Sequence, residues 1–261
     1  MTVEDALRLG ERELAAAGVD TPRVDAELLV AHTLGLKRSE VYADARRAVP
    51  DTFQVLLERR RRREPLAYVL GEWGFRRLTL KTDARALVPR PETEIVAERA
   101  LALIAGLDEP TVIDVGTGSG AIALAVADEH PGARVVAVDT SADALALARE
   151  NAARLGLDVE LRLAGIEAAG EGWDLVVANP PYIPPEERPA LAPELDFEPE
   201  QALVGVGLHE EIARVAKARY LVFEVGYDQA APVAKTLEDL GYVVTITRDL
   251  AGIERVVEGR R

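Results

Sequence analysis

Hydrophobic positions after residue 90 follow two spacings, one typical of buried strands and one typical of helices. Continuous apolar runs such as Thr111–Val115 and Arg134–Val138 predict strands buried on both faces, as in a parallel sheet. Apolar residues three and four positions apart predict helices between them. The last two strands are separated only by residues 249–252, which requires an antiparallel hairpin. We predict a doubly wound α/β domain over residues 91–261, with a mostly parallel seven-stranded sheet and an antiparallel C-terminal hairpin.

The predicted elements alternate along this domain as such a sheet requires, without an internal repeat or a low-complexity linker. We predict helices over 92–106, 119–129, 142–155, 208–218 and 229–240, and strands over 111–115, 134–138, 158–163, 173–178, 219–225, 242–248 and 253–258.

Residues 1–63 predict a small all-α domain. Thr2, with Asp5 three residues later, resembles a capping box, and Gly18 ends that helix. Proline at position 22 begins a second helix that ends near Gly35. Two further short helices follow, one after Ser39 and one from about Asp51.

Five consecutive arginines, Arg59–Arg63, end the fourth predicted helix. Such a run could contact nucleic acid, but positive charge also opposes the negative end of a helix dipole. Glu58 and Glu64 flank the run, so we favour a solvated helix end.

Residues 64–90 differ from the regions on either side. Two short β-like segments, Leu66–Leu70 and Leu78–Thr82, are separated by a stretch that contains Gly71 and Gly74. This pattern predicts a β-hairpin connector.

Composition and charge exclude several classes of function. The chain of 261 residues has no Cys and three scattered His, so we expect no disulfides, no Cys nucleophile and no metal site. No run approaches the roughly 18 apolar residues of a membrane span, and the first turn does not resemble an export signal. We therefore expect a cytoplasmic protein without membrane contact. Residues after Arg90 contain 14 basic and 31 acidic side chains, a balance of −17 that argues against stable nucleic-acid binding.

A glycine-rich turn follows the first strand of the larger domain. Asp114 and Val115 lead into Gly116-Thr-Gly-Ser-Gly120, where glycines let the backbone turn tightly beside a ligand at a helix N-terminus. The second strand ends in Asp139, whose carboxylate can accept hydrogen bonds from both hydroxyls of a ribose. The Gly-x-Gly-x-Gly spacing with Asp114 before it favours S-adenosylmethionine over NAD in this Rossmann-like arrangement. The alternative is a tight turn with a helix-capping Asp.

The segment Asn179-Pro180-Pro181-Tyr182 directly follows strand 173–178. The Asn side-chain oxygen and the Pro180 carbonyl can each accept one hydrogen from a planar –NH2 group, and the Tyr ring can stack on that plane. Two acceptors beside a methyl donor would polarise and align a nitrogen whose lone pair is delocalised. The strand also ends where α/β ligands bind. We predict a methyltransferase acting on an –NH2 group; the alternative is a rigid Pro-Pro turn.

Five segments of the chain carry a family resemblance: 63–75, 88–94, 179–182, 197–199 and 249–257. Together they resemble the release-factor glutamine methyltransferases, the HemK/PrmC family of class I S-adenosylmethionine-dependent methyltransferases. The resemblance covers nearly the whole chain. It implies methyl transfer to the side-chain amide nitrogen of the Gln in the Gly-Gly-Gln motif of class-one peptide-chain release factors, which modulates translation termination. It also implies that the helical domain 1–63 recognises the release factor.

The resemblance assigns roles to individual residues. Asn179, Pro180 and Tyr182 would be catalytic. Residues expected to bind the cofactor are Gly116, Thr117, Gly118, Ser119, Gly120, Asp139, Ile166 and Asn179, and those expected to hold the Gln amide are Asn179, Pro180, Pro181 and Tyr182.

The chain departs from the family pattern near the expected adenine position. The family usually has an acidic residue followed by a bulky one, whereas this chain has Gly165 and Ile166, with Glu167 as a candidate substitute. Two alternatives stay open: the Asn-Pro-Pro-Tyr chemistry would also serve an exocyclic-amine methyltransferase for DNA or RNA, and the Gly165 change could leave an S-adenosylmethionine-binding module with impaired turnover. Glu224, late in its strand, could face the cofactor end of the sheet or pair with an arginine.

Overall fold

A computed structural model describes residues 1–261, and contacts within it divide the chain into two compact units. The first unit comprises Met1–Glu72 and Ala192–Phe197, and the second comprises Trp73–Leu191 and Glu198–Arg261. None of the helices combines the length and the apolar composition that a membrane crossing requires.

The first unit is helical. Thr2 caps its first helix: the side chain accepts from the Asp5 backbone N–H, and the Asp5 carboxylate accepts from the Thr2 N–H, which confirms the predicted capping box. Leu14, Leu29 and Phe53 are fully buried in the core of this unit. The helices are α1 (Val3–Ala16), α2 (Pro22–Leu34), α3 (Thr52–Arg61) and α4 (Leu66–Leu70), with a 3₁₀ helix over Arg38–Ala43.

The strand predicted over Leu66–Leu70 is wrong, because this segment is α4. The Pro65 carbonyl accepts the backbone N–H groups of the first turn, and Gly71 ends the helix in the left-handed conformation at φ 76°. A five-residue apolar run fits either a strand or a buried helical turn. A two-stranded sheet does follow, but its first strand is β1 (Glu72–Phe75), which lies over residues predicted to separate the two strands, whereas β2 (Leu78–Lys81) agrees with the predicted second strand.

The end of α3 forms a buried ionic cluster. The Arg60 Nε lies 2.7 Å from Asp25 Oδ2, and its Nη1 lies 2.9 Å from Glu194 Oε1. Arg63 Nη2 approaches the other Glu194 oxygen at 2.6 Å. The predicted solvated helix end is right for Arg62, which is exposed, and wrong for Arg60, of which only 6% is exposed.

The second unit is built on a seven-stranded sheet of order β5-β4-β3-β6-β7-β9-β8, in which β9 runs antiparallel to both neighbours and the other pairs are parallel. This confirms the predicted fold class. Predicted element bounds agree with the observed ones within three residues. The strands are β3 (Thr111–Val115), β4 (Arg134–Asp139), β5 (Glu160–Leu163), β6 (Trp173–Ala178), β7 (Ala218–Glu224), β8 (Val243–Arg248) and β9 (Glu254–Arg260); the helices are α5 (Thr93–Ile104), α6 (Ala121–Glu129), α7 (Ala142–Leu155), α8 (Leu208–Val215) and α9 (Ala230–Asp239).

Successive residues of the central strands face two separate cores. Ile113 and Phe223 pack with residues of α8 and α9, whereas Val112 and Val222 pack with residues of α5 and α6. Helices on both faces explain why these strands are apolar at consecutive positions.

The carboxyl ends of four parallel strands meet at one edge of the sheet. Val115 pairs with Val138 on one side and with Ala178 on the other, and Ala178 pairs with Phe223. The chain order reverses between β3 and β6, and such a switch point leaves a crevice at the carboxyl ends of the strands. The residues that follow these strands therefore surround one crevice.

The buried ionic cluster of the first unit makes a testable prediction about stability. Arg60→Met would leave the Asp25 carboxylate buried beside an apolar side chain, and we expect it to lower the free energy of unfolding by about 3 to 5 kcal/mol. Arg62→Met, at the surface of the same helix end, is the matched control and should change it by less than about 0.5 kcal/mol. Urea denaturation of the full chain measures both. Equal effects would contradict the buried role of Arg60.

Candidate functional site

A cavity of about 250 Å³ lies at the carboxyl edge of the sheet in the second unit. It brings together residues that the sequence analysis took from separate motifs, and the N-terminus of α5 with the preceding segment Arg85–Arg90 completes its wall. Gly120 and Tyr182 do not line it. The predicted site residues in its wall are Gly116, Thr117, Gly118, Ser119, Asp139, Ile166, Asn179, Pro180 and Pro181.

The turn after β3 requires its three glycines. Gly116, Gly118 and Gly120 have φ angles of 77°, 57° and 86°, a region in which other residues are strained. A Cβ on Gly120 would lie 3.0 Å from Leu124 Cδ1, so this glycine permits close packing onto α6. Its contact with a cofactor stays a prediction, whereas Gly116 and Gly118 bring bare backbone to the cavity.

The Asp139 carboxylate is held in a fixed orientation at the cavity wall. Its Oδ2 accepts from the Gly118 backbone N–H at 2.9 Å, and its Oδ1 accepts from the Ser141 N–H at 2.8 Å. Each oxygen keeps a lone pair for a further donor. This side chain can thus accept hydrogen bonds from two adjacent hydroxyl groups.

Asp114 stabilises the glycine turn through hydrogen bonds. Its Oδ2 accepts from the Thr117 hydroxyl at 2.6 Å and from the Ala123 N–H at 3.2 Å, whereas its Oδ1 has no hydrogen-bond partner. Burial raises the pKa of Asp114 to about 7, against the lowering effect of these two donors. The side chain does not line the cavity.

The cavity wall after β5 offers backbone and two apolar side chains, those of Ala164 and Ile166. Gly165 and Ile166 line it, but Glu167 is exposed and does not. The Glu167 carboxylate instead accepts from the Gly165 N–H at 2.9 Å, at the start of the following 3₁₀ turn. The structure therefore gives no support to Glu167 as a substitute for the missing acidic residue.

Both polar side chains of the Asn-Pro-Pro-Tyr segment are linked to Glu224, Asn179 through Thr93 and Tyr182 directly. Asn179 Nδ2 donates to Thr93 Oγ1 at 3.2 Å, and the Thr93 hydroxyl donates to Glu224 Oε2 at 2.6 Å. Tyr182 Oη lies 3.5 Å from Glu224 Oε1, at the long limit for a hydrogen bond. Glu224 thus faces the carboxyl edge of the sheet, where it contacts hydroxyl groups and forms no ion pair with an arginine.

Glu224 is a strongly perturbed acid. Only 1% of it is exposed, and burial raises its pKa to about 7 although the Thr93 hydrogen bond and Arg255 act in the opposite direction. Burial, and then the charge of Glu224, raise the pKa of Tyr182 to about 12. His209 Nε2 lies 2.6 Å from the Glu224 carbonyl oxygen.

The backbone of the Asn-Pro-Pro-Tyr segment is held by residues that the sequence analysis missed. Gln229 donates to the Tyr182 carbonyl at 2.8 Å and accepts from the Gly226 N–H at 3.0 Å. Gly205 packs so closely that an added Cβ would lie 2.7 Å from the Pro181 oxygen. No periodicity or motif in the sequence distinguishes these positions.

Two of the resembling segments contact each other beside the cavity. Glu198 Oε2 accepts from the Val88 N–H at 2.9 Å, and its other oxygen pairs with Arg90. The Glu198 side chain is fully buried, so this contact fixes the segment that leads into α5. No group of three or more His, Asp or Glu side chains is arranged to hold a metal ion.

Two family models match parts of the chain. The family model of the PrmC N-terminal domain matches residues 5–71, and that of the methyltransferase small domain matches residues 95–204. The catalytic domain of human Mettl16, solved in complex with a 3′UTR hairpin, has a TM-score of 0.56 and is 15% identical, covering 83% of this chain and 84% of that chain. At that identity the likeness shows the fold alone.

Full-length relatives are more similar in sequence. The release factor glutamine methyltransferase of Deinococcus radiodurans is 40% identical over 100% of this chain and 99% of its own length. The protein of the same name from Vibrio cholerae is 39% identical over 100% of this chain and 97% of its own length. The resemblance predicted from the sequence segments is confirmed, and the chain belongs to the family of release factor glutamine methyltransferases.

Proposed function

We propose that this protein transfers a methyl group from S-adenosylmethionine to the side-chain amide nitrogen of the Gln in the Gly-Gly-Gln motif of class-one peptide-chain release factors. Membership of the family makes the protein an S-adenosylmethionine-dependent methyltransferase. The observation that carries the proposal is that Asn179 and Pro180 line the same cavity as the glycine turn and Asp139. An acceptor pair for an –NH2 group thereby adjoins a wall suited to an adenosine cofactor.

The cavity wall fits the cofactor part by part. The bare backbone of Gly116 and Gly118 suits the methionine portion, because no side chain stands between the turn and a ligand. The fixed Asp139 carboxylate suits the two ribose hydroxyls, and Ile166 suits the adenine ring. When bound, S-adenosylmethionine supplies a methyl group on a positively charged sulphur.

The Asn-Pro-Pro-Tyr segment would hold the substrate amide. Asn179 Oδ1 and the Pro180 carbonyl oxygen each accept one hydrogen of the Gln –NH2 group, which directs its lone pair towards the methyl carbon. The Tyr182 ring stacks on the amide plane. The substrate nitrogen gains the methyl carbon and loses one hydrogen as a proton to water, and the electrons of the broken bond remain on sulphur.

The substrate protein would also contact the helical domain. The family model of the N-terminal domain covers most of it, and domain 1–63 carries the recognition role that the resemblance implies. The balance of −17 after Arg90 opposes the competing hypothesis of a nucleic-acid substrate, since such a substrate requires a basic surface beside the site.

Methyl transfer from labelled S-adenosylmethionine to a purified release factor tests this function. We expect wild-type enzyme to label the release factor and a Gln→Ala release factor to stay unlabelled. Asn179→Ala should bind the cofactor and transfer methyl about 100- to 1,000-fold more slowly, as when one donor or acceptor of a transition-state contact is removed. Labelling of RNA or DNA instead of the release factor would overturn the proposal in favour of the exocyclic-amine alternative.

Cofactor binding tests the proposed role of Asp139. Asp139→Ala removes the ribose acceptor and frees the Gly118 N–H, so we expect the Kd for S-adenosylmethionine to rise about 10- to 100-fold, equivalent to ~1.4 to 2.7 kcal/mol. Isothermal titration calorimetry measures it. Asp143→Ala, an exposed aspartate in the next turn, is the matched control and should leave the Kd unchanged. Equal affinities of Asp139→Ala and wild type would remove Asp139 from the site.

A further inference from the structure

The side-chain amide of Asn179 can adopt two orientations of nearly the same shape. Only the one with Oδ1 towards the cavity accepts a hydrogen from a substrate –NH2 group; the flipped one presents a donor to a donor. In the structure Nδ2 contacts Thr93 and no hydrogen bond occupies Oδ1. Some feature of the fold must select this orientation.

The charge of Glu224 determines which atoms donate and which accept in the two hydrogen bonds that link Asn179, Thr93 and Glu224. An ionised carboxylate can only accept, so the Thr93 hydroxyl, 2.6 Å from Glu224, must give its single hydrogen to that group. Thr93 Oγ1 then has only lone pairs for Asn179, and the group that faces it must be the –NH2. The charge on Glu224 thus fixes which end of the amide faces the cavity.

We propose that Thr93 and Glu224 are positioning residues for methyl transfer, which hold Asn179 with its side-chain oxygen towards the substrate nitrogen. The inference rests on the proposed function in one respect, that the substrate presents an –NH2 group. Tyr182 Oη lies 3.5 Å from the same carboxylate, so both polar side chains of the segment are positioned beside one buried acid.

Protonation of Glu224 would remove the preference for one orientation of the Asn179 side-chain amide. A neutral carboxyl can donate to Thr93 Oγ1, which frees the Thr93 hydroxyl to donate to a flipped Asn179. Burial places the pKa of Glu224 at about 7, so the change falls in an accessible pH range.

Three neighbouring side chains besides Thr93 act on the Glu224 carboxyl, and a fourth, His209, lies at the backbone carbonyl of Glu224. Arg255, on β9, lowers its pKa, and Glu92, just before α5, raises it. Tyr182 lies at its second oxygen, and its own pKa of about 12 keeps that hydroxyl neutral. His209, on α8, contacts the backbone carbonyl, and burial lowers the pKa of that imidazole. Tyr182 and His209 therefore do not replace Glu224 as the group that changes charge near pH 7.

Asparagine side-chain NMR tests the inference without a substrate. The chain has two Asn, so ¹⁵N-Asn labelling gives two –NH2 signals, and the one that Asn179→Ala lacks is assigned to Asn179. We expect the Asn179 signal of the wild type to titrate with a midpoint near pH 7, and that of Glu224→Gln to be independent of pH. Asn151, whose –NH2 donates to the Lys81 and Ser119 carbonyls, is the internal reference. An Asn179 signal that does not change between wild type and Thr93→Val would overturn the proposal.

Steady-state kinetics separates positioning from binding. We expect Thr93→Val to lower kcat about 10- to 100-fold, as for residues that orient a metal ligand from behind, with little change in KM. Thr93→Ser, which keeps the hydroxyl, should restore most of the rate. Thr111→Val is the matched control, because Thr111 makes the same kind of bond, 2.9 Å to Asp174, at the opposite edge of the sheet. Equal kcat values for Thr93→Val and Thr111→Val would contradict the role of Thr93.

The pH profile isolates Glu224 from Asp114, whose pKa is also about 7. We expect the kcat of the wild type to fall as the pH drops through 7. Gln at position 224 can either accept or donate, as a protonated carboxyl can, so Glu224→Gln should have a low kcat without this acid limb. An unchanged acid limb in Glu224→Gln would assign it to another group and overturn the pH dependence.

Thermal melting shows whether the loss of kcat has a structural cause. The pKa of Glu224 is raised from 4.5 to about 7 by folding, so its contribution to stability decreases as the pH rises through that range. Glu224→Gln should therefore raise Tm more at pH 8 than at pH 5. A lower Tm than wild type at pH 8 would contradict the burial cost on which the pH argument depends.

The measurements keep the two proposals apart. Absence of release-factor labelling by the wild type would refute the proposed function, whereas the NMR titration would still decide the roles of Thr93 and Glu224. Labelling by the wild type with equal rates for Thr93→Val and Thr111→Val would leave the function intact and refute the positioning roles.

Discussion

Parallel pairing of β3, β4, β6 and β7 is the constraint on which the site depends. Because their carboxyl ends share one edge, the glycine turn, Asp139, Asn179 and Glu224 come together although they are up to 108 positions apart in sequence. The reversal of strand order between β3 and β6 opens the crevice at that edge. Within it, the backbone of the turn and the Asn-Pro-Pro-Tyr segment lie on neighbouring strands, so a methyl donor and an –NH2 acceptor would meet there.

Two acids at this edge are buried at a cost to stability. Asp114 and Glu224 both have a pKa raised to about 7 by burial, and neither forms an ion pair. Buried carboxyls without a cation are unfavourable in their charged form. Each instead forms hydrogen bonds with residues at the cavity: Asp114 contacts the glycine turn at Thr117, and Glu224 contacts Asn179 through Thr93. The buried Arg60 in the first unit differs, because Asp25 and Glu194 neutralise it.

The sequence allowed the fold and the cavity wall to be predicted because their signals are local. Apolar runs and caps determined β3, β6 and α7 to the residue, and the residues next to strand ends identified the cavity wall. Local signals failed at Leu66–Leu70, where five apolar residues fit two conformations. They also failed for Arg60, because its partners lie 35 and 134 positions away.

Local sequence patterns could not identify the residues that hold the site in place through hydrogen bonds. Thr93 lies at a helix start and Gln229 just before another helix, and their contacts arise only when α5 packs beside β6 and β7 and Gln229 meets the segment that follows β6. Glu167 is the opposite case. Its position in the sequence suggested a role in the site, but its carboxylate accepts a hydrogen bond from the nearby Gly165 N–H. The departure at Gly165 thus leaves a cavity wall of backbone with the side chains of Ala164 and Ile166 and no carboxylate.

Peptide mass spectrometry of a release factor after reaction with the wild-type enzyme and S-adenosylmethionine tests the central claim most directly. The account predicts one added methyl group, on the side-chain nitrogen of the Gln in the Gly-Gly-Gln motif. A methyl group on any other residue, or none while the enzyme binds the cofactor, would contradict it.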